Sequence, residues 1–264
     1  MPTADPYADL PDRTTLADEA GVVLLVFSRS QSLAEATPWA TGAWVPGRRL
    51  VVRAGALALQ AMAGWTLSTS DPDLVTALRA GGATEVRHVH RMTHDLESVV
   101  PRTTLGGALA VHPLTPGQTV RHAARLGAVA ARAYPPGHPD PVDADEPAAV
   151  RRILSVARGE VLGPLTTQSR VAVHAREIVG ACLVVDRPGT PPYGGPWVID
   201  VFRDPRCPIR GIGEALLRSS LAGAASARLA ALSLSASDRN ERARRLYRRL
   251  GFVAVNESWT LALP

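Results

Sequence analysis

Two stretches of this chain hold residue types whose spacing could do chemistry. In the first, Asp200-Val201-Phe202-Arg203 leads through Asp204-Pro205-Arg206-Cys207-Pro208-Ile209-Arg210 into Gly211-Ile212-Gly213-Glu214. An apolar strand-like run enters a turn, and Gly-x-Gly opens a helix. Glycine permits torsions and close backbone approach that a Cβ forbids. A helix start offers unpaired N–H groups and the positive end of the dipole. Together these hold a diphosphate without a charged side chain. Taken alone, Gly-x-Gly fits a plain strand-to-helix turn equally well.

The second stretch is Asn240-Glu241-Arg242-Ala243-Arg244-Arg245-Leu246-Tyr247-Arg248-Arg249-Leu250-Gly251-Phe252. Ala243, Leu246, Tyr247 and Leu250 recur at the spacing of one helix face, so spacing alone assigns Tyr247 to a packed stripe. Asn240 is a natural N-cap. Arg239, Arg242, Arg244, Arg245, Arg248 and Arg249 make the segment basic, which by itself means a solvated face. Elsewhere, His88-Val89-His90 puts two imidazoles on one strand face, with His94 beyond. No carboxylate or cysteine follows at ligand spacing, so solvent-exposed histidines and no metal are expected.

These two stretches and their separation resemble the GNAT superfamily of acyl-CoA-dependent N-acetyltransferases. That family carries Arg/Gln-x-x-Gly-x-Gly/Ala between a strand and a helix, then Asn-x-x-Ala-x-x-Leu-Tyr-x-x-Leu-Gly-Phe. The order of elements over residues 105–264 resembles the family's as well. One departure falls in the loop. The family's Arg/Gln position is Pro208 and its next glycine position is Ile209. Proline has no N–H, so one phosphate donor is missing, and Arg210 could supply compensating charge.

The resemblance implies acetyl-CoA as co-substrate, held between the strands at residues 197–203 and 229–235. It implies that backbone groups of Val201 and Arg203 bond the pantetheine arm and the thioester oxygen. It implies that the amides of Ile209, Arg210, Gly211, Ile212, Gly213 and Glu214 hold the diphosphate. Asn240 would contact the pantetheine or cap its helix, and Arg244 or Arg245 would attract the 3′-phosphate. Tyr247 would protonate the departing thiolate. Asp200 is the favoured general base, with Glu160, His174 or water as alternatives. The acceptor would be a small-molecule or peptide amine, entering between the helices after residue 105 and the proline-rich segment 187–196. The rival is a catalytically silent CoA-binding or scaffold protein.

The chain has 264 residues, with 46% hydrophobic and 20% charged. That is enough apolar content for one large core or two small ones. All 29 basic residues are arginine, and the net charge is +5. A basic balance suits anionic partners. Nucleic acid is not expected, because no base-reading motif is present. No apolar run approaches a membrane helix, so no membrane partner is expected. The opening residues lack a basic, apolar leader, and the two cysteines make no disulfide framework. A cytoplasmic location is therefore expected. A homodimer is left open.

The elements to be positioned follow from the pattern. Residues 1–20 read as a loose tail, 21–27 and 50–53 as strands, and 84–92 as a strand. Ser70-Asp71-Pro72 starts a helix. A long helix covers residues 115–133, a proline-aspartate loop 134–145, a helix 146–161 and strands 170–174, 178–185 and 197–202. Helices alternate with strands to the end. The fold class is α/β (α+β): a mixed, mostly antiparallel central sheet flanked by helices, with a smaller N-terminal α/β lobe. Leu78-Arg79-Ala80-Gly81-Gly82-Ala83 matches Tyr247-Arg248-Arg249-Leu250-Gly251-Phe252 in pattern. Residues 1–104 are therefore expected to be a degenerate, non-catalytic copy, and 105–264 the catalytic domain.

Overall fold

The computed structural model describes residues 4–31, 37–97, 109–140 and 145–264. The expected boundary at residue 104, Gly106-Gly107 and part of the proline-aspartate loop lie outside the described residues. The chain divides into two units, Met1–Arg91 with Asn256–Pro264, and Met92–Val255. The last strand residues thus cluster with the first unit, whereas the sequence reading kept them in the second.

The second unit holds β6 (Leu109–Pro113), α3 (Pro116–Arg121), α4 (Ala123–Ala133), α5 (Glu146–Ala157), β7 (Arg170–His174) and β8 (Glu177–Arg187). It continues with β9 (Gly195–Arg203), α6 (Ile212–Ser226), β10 (Leu232–Ser237) and α7 (Glu241–Arg249). Its strands run β10-β9-β8-β7-β6. All these pairs are antiparallel except β9 with β10. The apolar run in β8 is explained by burial on both faces. Cys182 and Val184 join Ile212, Leu216 and Leu221 of α6. Ala181, Leu183 and Val185 join Leu126 and Val129 of α4 and Ile153 of α5. Alternation sends successive side chains to opposite faces, so both layers gain from one strand. Each buried Leu or Val contributes about 1.5–3 kcal/mol.

The helix over residues 115–133 is interrupted at His122, which leaves helical torsions at φ −103°, ψ 13°. Its first part starts with a capping box between Thr115 and Gln118, and Pro116 occupies the first turn. Asp145 caps α5 by accepting from the Ala148 amide at 2.7 Å. Gly127 lets α4 and α5 touch, because a Cβ there would meet Val150 Cγ2 at 2.4 Å.

The first unit holds β1 (Arg13–Ala17), β2 (Val23–Gln31), β3 (Pro38–Trp44), a 3-10 turn (Arg48–Leu50) and α1 (Val51–Ala61). Then come β4 (Thr66–Thr69), α2 (Pro72–Ala80), β5 (Thr84–His94) as far as Arg91, and β11 (Val253–Ala262) from Asn256 onward. The strand order is β1-β2-β3-β4-β11-β5. Two expectations fail here. The loose tail contains β1, and Tyr7 is buried with its hydroxyl donating to Ser70 Oγ at 2.6 Å. Residues 50–53 enter a helix, because Val51, Ala54, Gly55 and Ala58 form one small-residue face against a buried core.

The sequence β1-β2-β3-α1-β4-α2-β5 repeats as β7-β8-β9-α6-β10-α7-β11, with antiparallel, antiparallel, then parallel pairing in each. The ends of α2 and α7 match atom for atom. The Ala83 amide donates to Leu78 O and the Phe252 amide to Tyr247 O, each at 3.0 Å. Gly82 (φ +99°) and Gly251 (φ +92°) take the left-handed position that closes such a helix end. Leu78 therefore stands where the second copy has Tyr247.

Candidate active site

The parallel pairing of β9 with β10 consists of Ser233 opposite Trp197 and Leu234 opposite Val198. Beyond Val198, β9 runs on to Arg203 and β10 to Ser237 without pairing to each other. The register of β9 against β8 shifts at the same place, between Leu183 opposite Asp200 and Val184 opposite Val198. That extra residue, Ile199, turns the strand locally, as bulges do. The result is a seam that opens toward the carboxyl ends of two parallel strands. Backbone polar groups along such an edge accept an extended ligand as an additional strand.

The seam leads to the loop before α6. Asp204 organises that loop. Its Oδ1 accepts from the Arg206 amide at 2.9 Å, and its carbonyl accepts from the Cys207 amide at 3.2 Å. Arg132 of α4 grips Asp204 Oδ2 through Nε at 3.1 Å and a terminal nitrogen at 2.7 Å. Arg206 adds a contact to the same oxygen at 3.1 Å. Burial by itself raises the Asp204 pKa, but hydrogen bonds from Arg132 and Arg206 outweigh it and hold the carboxyl well below the usual range. Gly211, at φ +83°, occupies the N-cap of α6. A Cβ on Gly213 would meet nothing within 4 Å, so the first turn of the helix has open space beside its backbone.

Asn240 caps α7 by accepting from the Ala243 amide at 3.1 Å. Its amide nitrogen donates to Asp140 Oδ2 at 2.7 Å, tying the segment after α4 to the start of α7. Tyr247 is buried, with its ring set edge-on to Phe252 at 6.0 Å. Burial pushes its phenol up, and Asp140, Cys182 and Asp200 push it further. The group is therefore protonated at neutral pH.

Asp200 is buried and paired. Arg152 of α5 forms an ion pair with Oδ2 at 2.7 Å. The Tyr134 hydroxyl donates to Oδ1 and also to the Val201 carbonyl, the latter at 3.2 Å. Burial first, then Asp200, raises the Tyr134 phenol well above its ordinary value, and Tyr247 adds to the rise. Both phenols are therefore protonated at neutral pH. Cys182, facing the same region, is pushed up to about 12 by burial. A thiol so protonated is a poor nucleophile.

The Acetyltransferase (GNAT) family matches residues 137–252. That span contains the seam, the loop, α6, α7 and both Asn240 and Tyr247. Residues 137–252, under half of the chain, thus resemble a GNAT acetyltransferase domain. Among curated proteins no sequence matches. Solved structures share the fold over nearly the whole chain. A GCN5-related N-acetyltransferase from Sphaerobacter thermophilus is 19% identical with a TM-score of 0.61, covering 97% of this chain and 82% of its own. A GCN5-related N-acetyltransferase from Kribbella flavida is 14% identical with a TM-score of 0.58, covering 97% and 91%. A tandem GNAT protein from the clavulanic acid biosynthesis pathway is 17% identical with a TM-score of 0.56, covering 96% and 84%. At these identities the likeness is one of fold.

Of the expected site residues, Tyr247 shares one apolar cluster with Ile212, Val201 and Ile209 pack against that cluster, and Asn240 opens the helix that carries Tyr247. Three expected residues carry other bonds. Glu214 pairs with Arg218 at 2.8 Å and Arg249 at 3.2 Å. Arg245 pairs with Glu241 at 2.7 Å on the exposed side of α7, and Arg244 with Asp238 at 3.0 Å. The Arg245–Glu241 pair is exposed and of the kind worth about 0–1 kcal/mol, whereas the Arg218–Glu214 and Arg244–Asp238 pairs are partly buried. Glu160 lies exposed in the turn after α5, where it pairs with Arg158 at 3.9 Å. His174 ends β7 opposite Leu109 and Glu177, away from the seam. Sequence reasoning missed Tyr134, Arg132, Arg152 and Asp204. Nothing in the spacing distinguishes two arginines among 29 basic residues.

Proposed function

We propose that the protein is an N-acetyltransferase that moves an acetyl group from acetyl-CoA to a primary amine by direct attack in a ternary complex. The observation that carries this reading is the seam between β9 and β10, which ends at a glycine-opened helix N-terminus. An extended pantetheine chain suits the edge of β9 at Val201 and Arg203 that faces β10, which β10 does not pair. A diphosphate suits the amides from Ile209 to Glu214 and the open side of Gly213. Pro208 contributes no amide, and Arg210 stands beside the gap.

In the reaction the amine nitrogen bonds to the thioester carbon, the C–S bond breaks, and coenzyme A leaves as a thiolate. Tyr247, protonated at neutral pH, gives that thiolate its proton. A main-chain amide of β9 aimed at the thioester oxygen stabilises the charge that develops there. The amine loses one proton, which returns the balance at Tyr247 through solvent. Asp200 was the favoured base, but its carboxylate is committed to Arg152 and Tyr134. That pairing supports a positioning role for Asp200, acting through the Tyr134 phenol, with water taking the amine proton. Cys182 supports direct attack, since its thiol is held protonated. The helices α3 to α5 and the hairpin 187–196 are the segments that suit the acceptor.

The first unit is proposed as a non-catalytic copy, because Leu78 replaces the tyrosine and α1 starts from Leu50 in ordinary helical torsions, without a left-handed glycine. Calorimetry with coenzyme A, followed by thiol release from acetyl-CoA across a panel of amines, tests the reading. Uptake with turnover on at least one amine is expected. Absence of any coenzyme A uptake would overturn it.

A further inference from the structure

The histidine pair of the first unit has a partner that the sequence could not reveal. On β5, alternation places Val89 and Arg91 in the buried face, and His88 and His90 together on the other. Glu257 reaches them from β11, the neighbouring strand. Its Oε2 lies 2.8 Å from His88 Nε2 and its Oε1 3.7 Å from His90 Nδ1. One ligand atom from each of the three lies within 4.8 Å of the others. His94, the third histidine of the run, goes elsewhere: it is buried, and its Nδ1 accepts from the Leu96 amide at 2.9 Å.

We propose that His88, His90 and Glu257 form a binding site for a divalent transition-metal ion of the zinc type. Two imidazoles and a carboxylate suit zinc, copper or nickel better than the oxygen-seeking magnesium and calcium ions. Bond lengths of about 2.0–2.2 Å put tetrahedral ligand atoms about 3.4 Å apart. The separations here, 2.8 and 3.7 Å, bracket that value. The support is rigid, because both strands belong to a sheet and the His88 ring stacks on Trp259 at 4.8 Å with planes 14° apart. The side chains are partly open to solvent, at 21%, 12% and 43% exposure, so water can complete the coordination. The ion would join positions 169 residues apart in sequence, closing a long loop.

The test uses the full chain and metal salts alone. Equilibrium dialysis is expected to give one zinc ion per chain. His88→Gln and Glu257→Gln should each weaken uptake tenfold or more, while His112→Gln on the exposed face of β6 leaves it unchanged. A second readout does not need those variants to fold. Copper(II) bound beside His88 should quench the Trp259 part of the fluorescence, and Trp259→Phe should remove that part. Zinc uptake that is not saturable, or that is indifferent to both His88→Gln and Glu257→Gln, would overturn the proposal. So would a copper quench unchanged in Trp259→Phe.

Discussion

Arg152 holds Asp200 at 2.7 Å, inside the wall of the seam, and so decides what that carboxylate can do. Removing one partner of a buried ion pair strands the other, at a cost of about 3–5 kcal/mol. Arg152→Gln should therefore lower stability by that amount in chemical denaturation. The double variant Arg152→Gln with Asp200→Asn should recover part of the loss. If the two single effects simply add, the pair is not coupled as described.

Tyr247→Phe removes the hydroxyl and leaves the packed ring against Phe252. Turnover at saturating acetyl-CoA should fall about 100-fold or more, the range of a lost general acid. Affinity for coenzyme A and the melting temperature should stay close to wild type. Because burial raises this phenol, the rate should show no loss of the acid form below pH of about 10, the ordinary value for tyrosine. Steady-state kinetics against pH reads both effects.

Gly213→Ala separates folding from binding. The new methyl meets no atom within 4 Å, so the fold has nothing to resist it. Alanine also raises helix propensity by about 1 kcal/mol over glycine. Stability should be unchanged or higher, while affinity for coenzyme A falls about tenfold as the methyl enters the space beside the amides. Thermal melts paired with calorimetry would show the two moving in opposite directions. Unchanged affinity would mean that the diphosphate does not lie there.

Asp204 predicts an acid limit. Its folded-state pKa is depressed below the unfolded value of about 3.9, so its stabilisation is complete above that pH. Stability should decline as pH falls from about 4 through the folded value. In Asp204→Asn that slope should shrink, and the variant should be less stable at pH 7. Denaturation midpoints measured from pH 3 to 7 provide the check.

The sequence made some of this visible for identifiable reasons. Gly211, Gly213, Asn240 and Tyr247 lie in short contiguous runs, where local spacing is itself the signal. The helix beginning at Asp71-Pro72 was legible because capping is local: Asp71 accepts from the Asp73 amide at 2.9 Å. Tyr134 and Arg152 were not, since each meets Asp200 only through tertiary packing. The same holds for Glu257, whose contact with His88 spans 169 residues. The first residues of α1 read as a strand, and residues 55–65 fit helix and strand alike, because short apolar runs fit both periods until a neighbour is known. Here that neighbour is Ala77 of α2, whose Cβ would lie 2.9 Å from one added to Gly55.

At the loop ahead of α6 one carboxylate, Asp204, answers two guanidinium groups, Arg132 and Arg206. The mouth keeps a surplus of positive potential while the loop itself stays fixed. A polyanion is then drawn in from a distance, and its capture slows as dissolved salt shortens the field's reach to about 8 Å at physiological strength.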